Sequence, residues 1–215
     1  MMAKISGKRP QRTTYRHGDL YRTLLSSGIE LARDGGPDAV VLREVTRRAG
    51  VVPNAAYRHF ADRQALVQAV SEAAMSLLAS TMEAEQAAMG HHEDAAAAAR
   101  TRLCAVGTGY LRFAQAEPGL FRTAFSVPGD LQLAGSAASA GESGLTPFQQ
   151  LTAALDEMVA AKILPPERRM GAEFLAWSAV HGLAMLLING PLRSLEPAQK
   201  QDIGQMLVAM VERGL

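Results

Sequence analysis

Residues 41–63, VLREVTRRAGVVPNAAYRHFADR, constrain the fold more than any other stretch. They read as a short helix, a turn centred on glycine, a second short helix and a stop. Val41, Val45 and Ala49 fall on one face at helical spacing, with Arg43, Arg47 and Arg48 on the others. Gly50 stands where the first helix must end, a position that often needs positive φ. Val51 can pack back into the corner. Pro53 suits the first position of the next helix, where its missing N–H is no loss. Two short helices meeting at such a corner make a helix-turn-helix, whose second helix fits the major groove of duplex DNA.

The charge distribution points the same way. The chain is nearly neutral, with a formal net charge of +1. Residues 1–63 nevertheless hold 12 Lys/Arg against 6 Asp/Glu, which leaves residues 64–215 net acidic. A basic segment of this size is an electrostatic footprint for a polyanion. The acidic remainder would be repelled by one.

At 215 residues and 48% hydrophobic, the chain can hold a small domain and a larger one with a real core. Aromatics are only 5%, and Ala and Leu dominate, which favours helix over sheet. The one cysteine, Cys104, excludes an internal disulfide framework and a cysteine-based zinc site. No apolar run reaches the roughly 18 residues of a membrane span. The basic N-terminus lacks the apolar stretch of a secretory signal. The expectation is a cytoplasmic protein, associated with the nucleoid, with no metal and no cofactor.

Read along its length, the chain predicts an all-α fold of about nine helices. Residues 1–15 form a basic arm expected to be disordered, whose Lys4, Lys8, Arg9 and Arg12, with Arg16 just beyond, could follow DNA phosphates. A first helix runs from Asp19 to Asp34, and Gly35-Gly36-Pro37 ends it. The helix-turn-helix helices cover about 42–49 and 53–60. A long helix over 63–88, capped by Asp62, follows. The His91-His92 pair reads as an exposed loop, because neighbours on a helix do not face each other. Further helices are expected at about 93–116, 118–125, 147–162, 167–189 and 197–213. Residues 126–146, rich in Gly, Ser and Ala, read as a long flexible loop. The organisation expected is an arm over 1–15, a DNA-binding unit over 16–62 and a larger domain over 63–215.

Over residues 17–70 the chain resembles the TetR/AcrR family of transcriptional regulators. The string Tyr57-Arg58-His59-Phe60, followed by Asp62 and Arg63, carries the resemblance. The C-terminal part is similar to the subgroup with a Trp-His-Gly helix, through Trp177, His181 and Gly182, with YLRFAQAEPGLFRTAF (110–125) upstream. One departure is visible: Val41 and Val52 stand where the family often has Ser or Thr. Neither can cap a helix with its side chain.

The resemblance implies a homodimer that sets two recognition helices in successive major grooves of a palindromic operator. By chemistry, Arg43 and Asn54 can reach base edges, guanine and adenine respectively. Pro53 opens the recognition helix, and the small Ala55 lets the backbone approach. Tyr57, His59 and Arg63 read as phosphate-positioning groups, and Arg58 can do either. Phe60 reads as a core plug packed with Leu66.

The resemblance also implies effector binding and dimerisation beyond residue 63. Candidate cavity residues are Met75, Met82, Cys104, Tyr110, Phe113, Phe121, Phe125, Phe148, Met158, Phe174, Trp177 and His181, a set rich in adaptable Met and aromatic side chains. So few ionisable groups favour a small, largely apolar effector. On 167–189, Phe174, Trp177, His181, Met185 and Ile188 lie on one side. Leu175, Ala179, Gly182, Leu183 and Leu186 lie on another, suited to a two-fold partner together with 197–213.

The leading reading is a repressor released by its effector. The alternatives are an activator or effector-less DNA binder and, in another class, a helical enzyme with a basic surface. No phosphate-binding loop, metal-ligand spacing or nucleophile set supports the enzyme.

Overall fold

The computed structural model describes residues 17–90, 92–127 and 136–215. Expectations for the basic arm, for Arg16 and for His91 fall outside these residues. The described residues form ten α-helices and no strand. The first six are α1 (His17–Gly35), α2 (Leu42–Arg48), α3 (Pro53–Ala56), α4 (Arg63–Ala87), α5 (Ala95–Ala116) and α6 (Pro118–Ala124). The others are α7 (Pro147–Ala160), α8 (Pro166–Arg169), α9 (Ala172–Ile188) and α10 (Pro197–Gly214).

Local chemistry sets most of these boundaries. Asp62 accepts from the Ala65 amide at 2.8 Å and starts α4. Asp94 accepts from Ala96 and Ala97 and starts α5. Thr146 and Gln149 form a reciprocal capping box at α7. α2 and α3 begin at Val41 and Val52 with no side-chain cap, as the apolar residues there require. Gly50 adopts φ 68° at the corner between them. That left-handed conformation lets Val51 N–H reach back to the Thr46 carbonyl at 3.0 Å.

α4 is the central strut. Leu66, Val70, Ala74, Leu78 and Met82 form a buried stripe at four-residue spacing. It packs against α1, α5, α6 and α7. By length and composition alone, α4 is long and apolar enough to cross a membrane. Its stripe is instead covered by four helices of the same chain. Over about 25 residues such a strut spans nearly 40 Å, enough to run from the helix-turn-helix through the larger domain.

Three expectations change. The recognition helix stops at Ala56 and is followed by turns, not by helix to residue 60. The helix expected over 167–189 is two pieces, because Met170 turns extended (ψ 119°) after α8. Residues 136–146 are not a free loop. Ser76 Oγ donates to the Ala140 carbonyl at 2.6 Å. The Glu83 carboxylate accepts from the Glu142 and Ser143 amides and the Ser143 hydroxyl. Ser139 and Thr146 are buried. Residues 128–135 fall outside the described part.

Candidate DNA-binding face and interior cavity

The helix-turn-helix sits on a small core of Leu24, Val40, Val45, Ala56, Phe60 and Leu66. Phe60 is buried and stacks on Tyr21 at 5.2 Å. The side turned away from this core exposes Arg43, Val52, Pro53, Asn54, Tyr57 and Arg58. Ala55 and His59 are half-buried.

Not every arginine here is available to a polyanion. Arg47 is paired with Glu44, and the hydrogen bond from Arg47 holds the Glu44 carboxyl below the usual carboxylate range. Arg48 lies 3.2 Å from Asp34 and 3.7 Å from Glu30, tying α2 to α1. Arg43 and Arg58 make no ion pair among the described residues. Arg63, though half exposed, is engaged with the backbone: its Nε donates to the Val40 carbonyl (2.9 Å) and its Nη2 to the Pro37 carbonyl (2.7 Å). It braces the segment between α1 and α2.

The larger domain holds a cavity of about 510 Å³, a size suited to a small organic ligand. Seven of the residues expected there line it: Met75, Met82, Tyr110, Phe125, Phe148, Phe174 and Trp177. Five do not. Phe113 and Met158 are fully packed core residues. Cys104 is half-buried against the core, and burial pushes its thiol pKa up, so it stays a protonated packing group. Phe121 and His181 form the layer behind the wall, with Phe121 stacked on the imidazole at 5.5 Å.

A polar chain fixes that wall. Trp177 Nε1 donates to the Tyr110 hydroxyl at 3.2 Å, and that hydroxyl lies 2.7 Å from His181 Nδ1. Burial raises the Tyr110 phenol far above its ordinary pKa and lowers that of His181. The phenol therefore donates to a neutral imidazole. Gln68, Ser71, Glu72, Ser139 and Thr146 also line the cavity. The sequence reading missed them because it sought only Met and aromatic residues.

Residues 24–70 match the family model for bacterial regulatory proteins of the tetR family. Residues 103–211 match that for the tetracyclin repressor-like C-terminal domain. The chain belongs to the TetR family. It is a DNA-binding transcription regulator, not an enzyme.

Solved structures agree. A protein of unknown function from Rhodococcus sp. RHA1 matches at 26% identity with TM-score 0.72, covering 95% of this chain and 99% of that one. FadR from Bacillus subtilis, solved with stearoyl-CoA, matches at 10% identity with TM-score 0.62, covering 91% and 99%. A TetR variant from Acinetobacter baumannii AYE, solved with minocycline, matches at 16% identity with TM-score 0.55, covering 90% and 94%. These last two share the fold alone. No curated protein matches the chain.

In this TetR-family chain α6 links the end of α1 to the cavity. At its start, a Cβ on Gly119 would meet the Ala32 and Arg33 carbonyl oxygens at 2.3 Å. Only glycine lets α6 approach the end of α1 so closely. Glu117 accepts from Arg33 at 2.8 Å beside it. At the other end, Ser71 of α4 donates to the Ala124 carbonyl at 2.9 Å, and Ala124 and Phe125 line the cavity.

The outer side of α9 and α10 is apolar and uncovered. Leu175, Leu186, Met206 and Met210 are exposed, and Gly182 has open space around it. Leu183, expected on this face, is buried in the core instead.

Proposed function

We propose that the protein is a repressor that binds a palindromic operator as a homodimer and is released by a small, largely apolar effector held in the cavity. The observation that carries this reading is α6, which touches α1 at Gly119 and the cavity at Ala124 and Phe125. An effector that alters the packing of Ala124 and Phe125 loads the same seven-residue helix that holds the end of α1. It must bind the DNA-competent and released states unequally to shift their balance. α4, with its first turn packed on the DNA-binding unit through Leu66 and its middle in the cavity wall, is the lever.

In this reading residues 1–15 are a basic arm, 16–62 the DNA-binding domain and 63–215 the effector and dimer domain. Arg43 and Asn54 read base edges, Pro53 and Ala55 permit close approach, and Tyr57, Arg58 and His59 position phosphates. Arg63 acts at one remove, by bracing the connector between α1 and α2. The apolar outer sides of α9 and α10 form the two-fold interface. Proteins of the same fold solved with stearoyl-CoA and with minocycline support a small-molecule effector.

The test is selection of random duplex DNA by the purified protein at fixed salt, then a screen of small molecules for release of the selected DNA. The expected result is a palindrome and a releasing ligand. Recovery of no palindrome from ligand-stripped protein overturns the reading.

A further inference from the structure

The cavity wall is not uniformly apolar, and its charge has one sign. Glu72 is the lone carboxylate in the lining, and no lysine, arginine or histidine among the described residues joins it there. The Glu72 side chain is half-buried and makes no ion pair among the described residues. Its one hydrogen bond is from Gln68 Nε2, 2.9 Å from Oε1.

The other polar groups in the lining are mostly engaged elsewhere. Tyr110 accepts from Trp177 and donates to His181. The Ser71 hydroxyl donates to the Ala124 carbonyl. Thr146 caps α7. The remaining hydrogen-bonding capacity is therefore the second oxygen of Glu72, the Gln68 carbonyl and second amide hydrogen, and the Ser139 and Thr146 hydroxyls. Glu72 is the one charged group among them, and its oxygens and the Gln68 carbonyl only accept.

These acceptors are gathered at one end. Gln68, Ser71, Glu72 and Met75 share one face of α4 at helical spacing. The Ser71 bond fixes that face against the end of α6, next to Phe125. The Phe125 ring lies 6.3 Å from that of Trp177, which lies 5.9 Å from Phe148. Met82, Leu103, Val106, Val180, Val208 and Val211 make the rest of the lining apolar.

We propose that the effector is a lipophilic cation, an organic ammonium or amidinium whose charged head sits on Glu72 and Gln68 and whose apolar body fills the remainder of the cavity. This rests on the cavity being the effector site. The half-buried Glu72 carboxylate has only a neutral amide as its partner, and a ligand cation supplies the missing opposite charge. Aromatic faces beside it favour the same sign of charge. A ligand with anionic groups inside the cavity would face the Glu72 carboxylate with only neutral hydroxyl and amide donors to offset it. The head would also sit where Ser71 joins α4 to α6, the connection that reaches α1.

Three isosteric probes test this by quenching of Trp177, the single tryptophan of the chain: 4-biphenylmethylammonium, 4-biphenylmethanol and 4-biphenylcarboxylate. The ammonium is expected to bind about ten-fold or more tighter than the alcohol, with the carboxylate weakest. In Glu72→Gln, with its fold checked by circular dichroism, the ammonium and alcohol should come within about two-fold of each other. Equal affinities in the wild type, or a preference that survives Glu72→Gln, overturn the charge assignment alone. Failure of all three to bind, with operator binding intact, overturns the effector reading as well.

Discussion

Gly119 and Ala32 meet so closely that a methyl group on Gly119 would lie 2.3 Å from the Ala32 carbonyl oxygen. Backbone cannot retreat as a flexible side chain can. Gly119→Ala must therefore push α6 off the end of α1 or strain both. The expected cost is roughly 1–3 kcal/mol of stability. Operator affinity should fall even without ligand, because the end of α1 is no longer held. Denaturant unfolding and a binding titration check the two effects, and full operator affinity in the variant would remove α6 from the coupling.

A second prediction concerns the Tyr110 hydroxyl, which serves Trp177 and His181 at once. Tyr110→Phe leaves an indole N–H and an imidazole nitrogen without their partner, at a cost of roughly 1–3 kcal/mol. The same contact gives a pH signature. Burial holds His181 below its ordinary value of 6.5, so the unfolded chain binds its proton more readily than the folded one. Its contribution to stability is complete above about pH 6.5 and is lost as pH falls toward the lower folded value. His181→Asn, which keeps an acceptor near Nδ1, should flatten that part of the stability profile in thermal melts. An unchanged slope would assign the pH response to other groups.

The helix-turn-helix was readable from residues 41–63 because its determinants are local. Gly50 makes the corner, Pro53 opens the next helix, and Val45 and Ala56 face inward whatever surrounds them. The cavity was half readable. Periodicity shows that Phe113 and Met158 are buried, as Met82 and Tyr110 are, but not whether a buried face meets another helix or an empty space. Residues 136–146 were misread for a different reason. Gly, Ser and Ala carry no pattern there, and what orders them is Glu83, some sixty residues earlier on α4. Glu72 and Gln68 passed unnoticed because a polar pair on a helix is ordinarily solvent-facing.

Arg63 gives a third prediction, and it separates bracing from phosphate contact. Its guanidinium donates to the Val40 and Pro37 carbonyls from a side chain that is 49% exposed. Arg63→Ala should cost about 1 kcal/mol of stability, discounted for that exposure. If bracing is its whole role, the salt dependence of operator binding stays as in the wild type. A slope reduced by about one unit would mean a phosphate contact as well.

Arg43 and Asn54 should behave differently from Arg63. Both are exposed, Asn54 on α3 and Arg43 on α2, and neither side chain makes an ion pair or hydrogen bond among the described residues. Asn54→Ala and Arg43→Ala should leave thermal stability within about 0.5 kcal/mol of wild type. Each should instead relax preference at one base position, at about 1–3 kcal/mol. Selection of random DNA by each variant gives the readout. Uniform weakening across all sequences would reassign both residues to the phosphates.

The last prediction addresses the two-fold interface. Met206 and Met210 are 68% and 55% exposed on α10, one turn apart, so an aspartate at 210 meets no core atoms in the single chain. Met210→Asp should therefore fold normally. In a dimer closed through α9 and α10, a two-fold axis near Met210 would bring the two carboxylates together in an apolar setting, where desolvation and like charge both oppose association. The variant should sediment as a monomer at concentrations where the wild type is a dimer. It should also lose most operator affinity, because one recognition helix cannot read two half-sites. A dimer that survives Met210→Asp would move the interface away from this end of α10 and with it the spacing of the two recognition helices.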